Sequence, residues 1–263
     1  MIDLHTHILP GVDDGVRTED EAVAFARVAC ADGVRVIVAT PHCREGFFVN
    51  ERGTVIEQVG RLEARLRQEG LVLELLPGAE VHLCPDLVQR IRDGRATTLG
   101  DNGRTLLLEL SLSQYPVEIE SLVFELRLAG IDVVLAHPER IRYFQDDVRR
   151  LESLVQQGAY GQLTTGSVLG VFGSAARECS EELLCKGLVH VLASDAHGVE
   201  GGRSPRLSGG VEACLPWVGE SYARSMVATT PRALLDGRTP ELPALDGTAA
   251  RRRSVFLRWF GRG

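Results

Sequence analysis

Short apolar, β-rich runs alternate with helix-like stretches along this chain, and that rhythm restricts its fold more than any other feature. The runs lie at 2–5, 34–39, 71–76, 105–110, 131–136, 160–163 and 188–193. Thr18 and Glu21 read as an N-cap and capping box before a helix over 22–31. Residues 54–69 place Val55, Val59, Leu62 and Leu66 on one helical stripe. Helical patterns recur at 85–92, 117–128, 147–157 and 175–186, and glycines such as Gly33, Gly70, Gly130 and Gly187 follow several of them. A β-α alternation of this kind predicts an α/β fold with a parallel sheet and right-handed crossovers. Seven strands in this rhythm suit a closed or nearly closed barrel better than an open sheet, although a doubly wound sheet satisfies the same pattern. At 263 residues one large domain is the simpler expectation. It spans 1–240, with a linker and tail over 241–263.

Charge is unevenly placed. Residues 250–263 carry Arg251, Arg252, Arg253, Arg258 and Arg262 and no acid, so the net −7 of the whole chain becomes −12 for residues 1–249. An acidic body argues against nucleic acid as partner. The tail mixes arginine with Phe256, Trp259 and Phe260, a composition suited to an anionic membrane surface or an acidic partner, or to a helix packed back on the body. No run reaches the roughly 18 apolar residues that span a bilayer. The first residues resemble no secretory leader, so the cytoplasm is expected. Six scattered cysteines without a C-x-x-C pair are expected to be reduced thiols.

The residues that follow the strands carry the chemistry. In a barrel of parallel strands, active groups gather at the C-terminal strand ends. There the first run supplies His5, His7 and Asp14, with Asp13 beside it. The second supplies His42, the third Glu80, the fourth Glu109, the fifth His137 and the seventh Asp195 and His197. The sixth, ending in Thr164-Thr165, offers no ligand type. A lone histidine at a strand end is usually structural. Six strand ends with ligand-type residues at one mouth are not so easily explained, and an ionised Glu109 ending an apolar strand is costly unless paired or metal-bound. Five of seven histidines belong to this set; His190 reads as a packing residue, and His82, at i+2 from Glu80, reads as packing rather than as a neighbour of the site, the alternative its spacing leaves open. Nine imidazole and carboxylate candidates exceed the needs of one ion. They imply two or three, of zinc, manganese or iron type, with a bridging carboxylate suited to phosphoryl transfer or hydrolysis.

These stretches resemble the polymerase and histidinol phosphatase (PHP) superfamily, and within it the bacterial capsule and exopolysaccharide tyrosine phosphatases. The resemblance is carried by His5-Thr6-His7, by 7–15 with Asp13-Asp14-Gly15, by Pro41-His42, Gly78-Ala79-Glu80-Val81, Glu109, His137-Pro138-Glu139-Arg140 and Ser194-Asp195-Ala196-His197. It covers residues 1 to about 240. It implies a distorted seven-stranded (β/α) barrel related to the TIM barrel, and a trinuclear centre. Manganese is the usual ion, with iron, zinc, cobalt and magnesium as alternatives. By the family pattern, His5, His7, Glu80 and Asp195 would hold one ion, Glu80, Glu109 and His137 a second, and Asp14, His42 and His197 a third. Arg140 and Arg203 would grip phosphate, with Arg206 a rival for the second place. The implied reaction is hydrolysis of phosphotyrosine by a metal-activated hydroxide. The implied substrate is the tail of a bacterial tyrosine autokinase that controls polysaccharide export. Phe47, Phe48, Tyr115 and Tyr143 are candidates to receive the ring. A small-molecule phosphatase, such as one for histidinol phosphate, and a non-catalytic metal-binding module are the alternatives. Cys84 and Arg90 formally satisfy C-x5-R, the signature of cysteine phosphatases. The loop lacks glycines to aim N–H groups at phosphate and carries Asp86, so cysteine catalysis is not expected.

Overall fold

The computed structural model describes residues 1–246. The arginine-rich tail lies outside the described residues from 247 onward. The strands are β1 Ile2–Thr6, β2 Val36–Ala39, β3 His42–Cys43, β4 Glu74–Pro77, β5 Glu80–His82, β6 Thr105–Glu109, β7 Asp132–Ala136, β8 Tyr160–Thr164 and β9 Val191–Ala193. The helices between them are α1 Glu19–Ala31, α2 Arg52–Gln68, α3 Leu87–Arg92, α4 Ile119–Leu128, α5 Arg142–Asp146, α6 Arg149–Gln156, α7 Thr165–Val168 and α8 Ser174–Lys186. After β9 come α9 Ser208–Val218, α10 Glu220–Ser225 and α11 Thr229–Leu235.

The nine strands are seven passes of the chain. One pass breaks at Thr40-Pro41, between β2 and β3, and another at Gly78-Ala79, between β4 and β5. All pairings are parallel, in the orders β1-β2-β4 and β3-β5-β6-β7-β8-β9. The Asp195 N–H donates to the His5 carbonyl and the His7 N–H to the Ala196 carbonyl, each at 2.9 Å, and these bonds join the last pass to the first. The result is a distorted seven-stranded (β/α) barrel, as the β-α rhythm suggests.

The distortion has a local cause. Gly78 lets the third pass leave β2 and pair with β6: a Cβ there would lie 2.7 Å from Val38 Cγ1 and 3.3 Å from Leu99 Cδ2. Leu99, in a short helical turn over 99–101, fills the gap this opens. Alternate strand residues then serve two cores. Ile2, Leu4, Val36, Val38, Leu107, Val134 and Val191 fill the barrel, where Leu99, Leu234 and Leu235 join them. Ile37, Leu75, Leu106, Leu108, Val133, Leu135 and Leu192 face the helices. The expected stripe of α2 is buried there, at Val55, Val59, Leu62 and Leu66. Thr105 Oγ1 and Asn102 Nδ2 both donate to the Leu234 carbonyl, which fixes α11 across the base of the barrel. Residues 241–246 form no helix or strand, yet Leu245 packs against the outer core.

Candidate metal centre

The first pass delivers two histidines through an irregularity. Pairing of β1 with β2 shifts between Asp3 and Thr6, where four residues face three. Such a bulge changes side-chain parity, so His5 and His7 reach the mouth although Ile2 and Leu4 lie in the barrel below. His5 Nε2 and His7 Nε2 stand 3.2 Å apart. The outer nitrogen of each ring is already committed: His5 Nδ1 to Gln162 Oε1 at 2.8 Å and His7 Nδ1 to Asp13 Oδ2 at 2.7 Å. Partners of this kind fix the ring and leave the inner nitrogens free to converge on an ion.

Around this pair the other strand ends close in. Glu80 is fully buried. Its Oε2 lies 3.3 Å from His5 Nε2, 3.5 Å from His7 Nε2 and 2.9 Å from His42 Nδ1, and its Oε1 lies 2.8 Å from His137 Nε2. Asp195 Oδ1 lies 3.4 Å from both His5 and His7. Asp14 Oδ1 lies 3.4 Å from His42 Nε2 and 3.2 Å from His197 Nε2. His137 and Asp195 have φ of 34° and 49°, left-handed values rare outside glycine, which turn β7 and β9 sharply at the mouth.

Three groups of donor atoms each converge closely enough for one ion: His5, His7 and Glu80; His7, Asp14, His42 and His197; and His42, Glu80 and Glu109. With His137 joined to them through Glu80, and Asp195 through His5 and His7, all nine expected residues meet at one mouth, but their grouping differs from the family pattern. Glu109 lies 3.8 Å from His42 and 3.2 Å from His82, while His137 meets the far oxygen of Glu80. His82, read as packing, is thus an immediate neighbour of the centre. His190 is a packing residue as expected, with Nδ1 accepting from the Gly161 N–H.

The electrostatics fit cations. Burial opposes charge on His7, but hydrogen bonds to Asp13 and Asp195 outweigh it and lift the imidazole to about 10. His5 and His42 rise for the same reason, with Glu80 the chief counter-charge. Burial disfavours charge on Glu80 and Asp195 too, yet the surrounding histidines hold both well below the usual carboxylate range. His197 is the exception, pushed down to about 3 by burial and by the neighbouring His7. Packed carboxylates thus favour the charged form of the imidazoles beside them, a role that bound cations would take over. Glu80 Oε2 has no well-aligned hydrogen bond despite the imidazole nitrogens around it, and His137 Nδ1 is buried without a partner. Orphaned donor atoms, facing imidazole nitrogens and a mixed imidazole–carboxylate set fit borderline transition metals.

Two arginines close the mouth. Arg140 Nη1 lies 2.6 Å from Asp195 Oδ2, and Arg203 Nη2 lies 3.1 Å from Asp195 Oδ1 and 2.8 Å from His197 Nε2. Arg206 instead reaches Ser204 at the surface. The Arg140 guanidinium rests on Phe172, 4.4 Å from its centroid. Of the ring candidates, Phe48 stacks on His42, Phe47 is exposed, and Tyr115 and Tyr143 pack edge-on against each other. Cys84 is a poor nucleophile. Burial, and then a hydrogen bond to Asp86, push its thiol up to about 11.

Sequence reasoning missed Gln162, the orienting role of Asp13, Phe172 and the carboxyl of Glu139. The last accepts from the Thr164 N–H and Ser167 Oγ and ties β7 to β8. A polar residue within a buried apolar strand was the available signal for Gln162.

The family model described as "Capsular polysaccharide synthesis, CpsB/CapC" matches residues 1–236. The chain belongs to the CpsB/CapC family. The tyrosine-protein phosphatase YwqE of Bacillus subtilis is 38% identical over 200 residues, 76% of this chain and 78% of that protein. The tyrosine-protein phosphatase CpsB of Streptococcus pneumoniae is 27% identical over 240 residues, 89% of this chain and 98% of that protein. A crystal structure from work on YwqE and CpsB, there called unique metal-dependent tyrosine phosphatases, superposes with a TM-score of 0.87. It is 33% identical and covers 94% of this chain and 98% of that chain. For a CpsB/CapC chain, the capsule-phosphatase resemblance read from its motifs is the expected one.

Proposed function

We propose that this protein is a metal-dependent protein-tyrosine phosphatase. The carrying observation is the convergence of nine imidazole and carboxylate side chains at one barrel mouth, with Arg140 and Arg203 both at its rim. The relatives' names support the same activity. His5, His7, Glu80 and Asp195 would hold one ion. Glu80 would bridge to a second ion held also by Glu109 and His137, and Asp14, His42 and His197 would hold a third. Such ions supply an activated water and screen the charge of the phosphoryl group. Manganese is the expected metal.

The residues of the chain do the rest. Gln162 and Asp13 orient His5 and His7. Arg140 and Arg203, which rest on Asp195, are placed to turn their forks onto phosphate oxygens and stabilise the charge that builds during transfer. Phe48, stacked on His42, offers an apolar face to an aromatic leaving group. We place residues 1–240 as the catalytic unit. We further propose a cytoplasmic site of action on the phosphotyrosine tail of a bacterial tyrosine autokinase that governs capsule or exopolysaccharide synthesis, with the arginine-rich tail of the chain contacting membrane or an acidic partner. Among the described residues, no helix is long and apolar enough to cross a membrane.

The test pairs metal analysis with turnover of a phosphotyrosine peptide and of histidinol phosphate, with and without chelator. Metal-dependent turnover that favours the peptide is expected. Preference for histidinol phosphate would reassign the substrate, and inactivity at full metal occupancy would leave a binding module.

A further inference from the structure

We propose that a cavity beside the metal mouth is a subsite for a second anionic group of the substrate, a carboxylate or phosphate on a residue flanking the phosphotyrosine. This rests on the phosphatase reading above. The cavity, of about 230 Å³, lies where β3 and β5 end against α3, and Arg44, Glu45, Phe47, His82, Cys84 and Arg90 are among the residues that line it. None of the nine candidate ligands does. His82 joins the two places, since its Nδ1 lies 3.2 Å from Glu109 Oε2 at the metal centre. A group in the cavity is therefore one side chain, His82, away from Glu109 of the candidate metal centre, so a residue flanking a phosphotyrosine bound there would reach it.

The lining selects for negative charge. Arg90 is largely buried, and its Nε has no hydrogen-bond partner. Its ion-pair partner is Glu45, at 3.6 Å on a side chain that is 82% exposed, so an incoming anion displaces it at little cost. The Arg44 guanidinium lies over Phe47, 4.4 Å from the ring centroid, with no carboxylate against it among the described residues. Of the other acids nearby, Asp86 pairs with Arg95 at 3.6 Å and Glu109 with His82 at 3.2 Å. Two guanidiniums, one of them with an unpartnered Nε, match a planar or tetrahedral oxyanion. They stand out on a body whose net charge is −12 over residues 1–249.

The experiment uses the metal-loaded full chain with p-nitrophenyl phosphate and three phosphotyrosine peptides that differ only in flanking residues: glutamate, a second phosphotyrosine, or alanine. The readout is the ratio of kcat/KM for each anionic peptide to that for the alanine peptide, a ratio insensitive to the fraction of folded enzyme. A ratio of about tenfold is expected for at least one anionic peptide, the size of one charge-assisted hydrogen bond. It should fall with added salt and collapse toward one in Arg44→Ala and in Arg90→Met. Which peptide shows the gain identifies the anion. A ratio near one in the parent enzyme, or one unchanged in both variants, overturns the subsite. Failure to turn over p-nitrophenyl phosphate or any of the peptides would instead refute the phosphatase reading on which the subsite rests.

Discussion

Single side chains at this mouth divide by what they touch, and their substitutions should divide the same way. Glu80 faces four imidazoles from inside the barrel, so Glu80→Ala should lower turnover by orders of magnitude. Cys84→Ser should leave it near the parent value, because a thiol held up to about 11 offers little thiolate. A dead Cys84→Ser beside an active Glu80→Ala would reverse the mechanism. Arg140→Ala and Arg203→Ala should each cost about 2–4 kcal/mol of transition-state stabilisation, the scale of one oxyanion donor, while metal content holds. Arg206→Ala should be silent, since that side chain points to Ser204. Loss of activity in Arg206→Ala alone would move the clamp there. His190 gives a pH prediction away from the centre. Burial lowers its imidazole to about 4, against about 6.5 in an unfolded chain. Between those values the unfolded state binds the extra proton, so stability is complete above about 6.5 and declines as pH falls toward 4, by up to about 3 kcal/mol. Unfolding of His190→Gln by urea across that range should show a shallower acid limb, and an unchanged limb would remove His190 from the account.

At the scale of elements, the third pass tests how the barrel was built. Gly78 sits where the chain leaves β2 for β6, and Gly78→Ala would press a methyl against Val38 and Leu99. Overpacking of this kind costs about 1–3 kcal/mol. Adding Val38→Ala should restore part of the loss, which denaturant midpoints of the single and double variants would register. A Gly78→Ala protein as stable as the parent would mean the barrel yields freely at this point. The same site shows where sequence legibility ends. The stripe of α2, the Thr18 cap of α1 and the seven apolar passes were readable because each depends on neighbours in sequence. The breaks at Thr40-Pro41 and Gly78-Ala79 were not, because they answer to Leu99 and β6, far along the chain. The nine candidate ligands were legible as residue types after strands. Their grouping around Glu80, and the approach of His82 to Glu109, depend on the β1 bulge and on β3–β5–β6 register, which no local pattern encodes.

Across the whole molecule, the centre is supplied by every pass of the barrel. Six give ligand-type side chains and β8 gives Gln162, which fixes His5. A site assembled from all passes exists only when the ring is closed, so metal affinity is linked to global stability rather than to one loop. Closing the ring without ions brings Asp14, Glu80, Glu109 and Asp195 together and charges His7 to offset them. An ion that binds the folded chain should therefore stabilise it by mass action, by about 2.7 kcal/mol at a hundredfold excess over Kd. For a chain of this size that corresponds to a rise in Tm of about 5–10 °C. Titration of manganese into chelator-stripped protein should produce that rise, reversed by chelator. Glu80→Ala should lose most of it, because the carboxylate shared between ions goes with it. Cys84→Ser should keep it in full. The same Tm for stripped and manganese-loaded protein would mean that the nine side chains converge for packing alone, and the phosphatase assignment would have lost its physical basis.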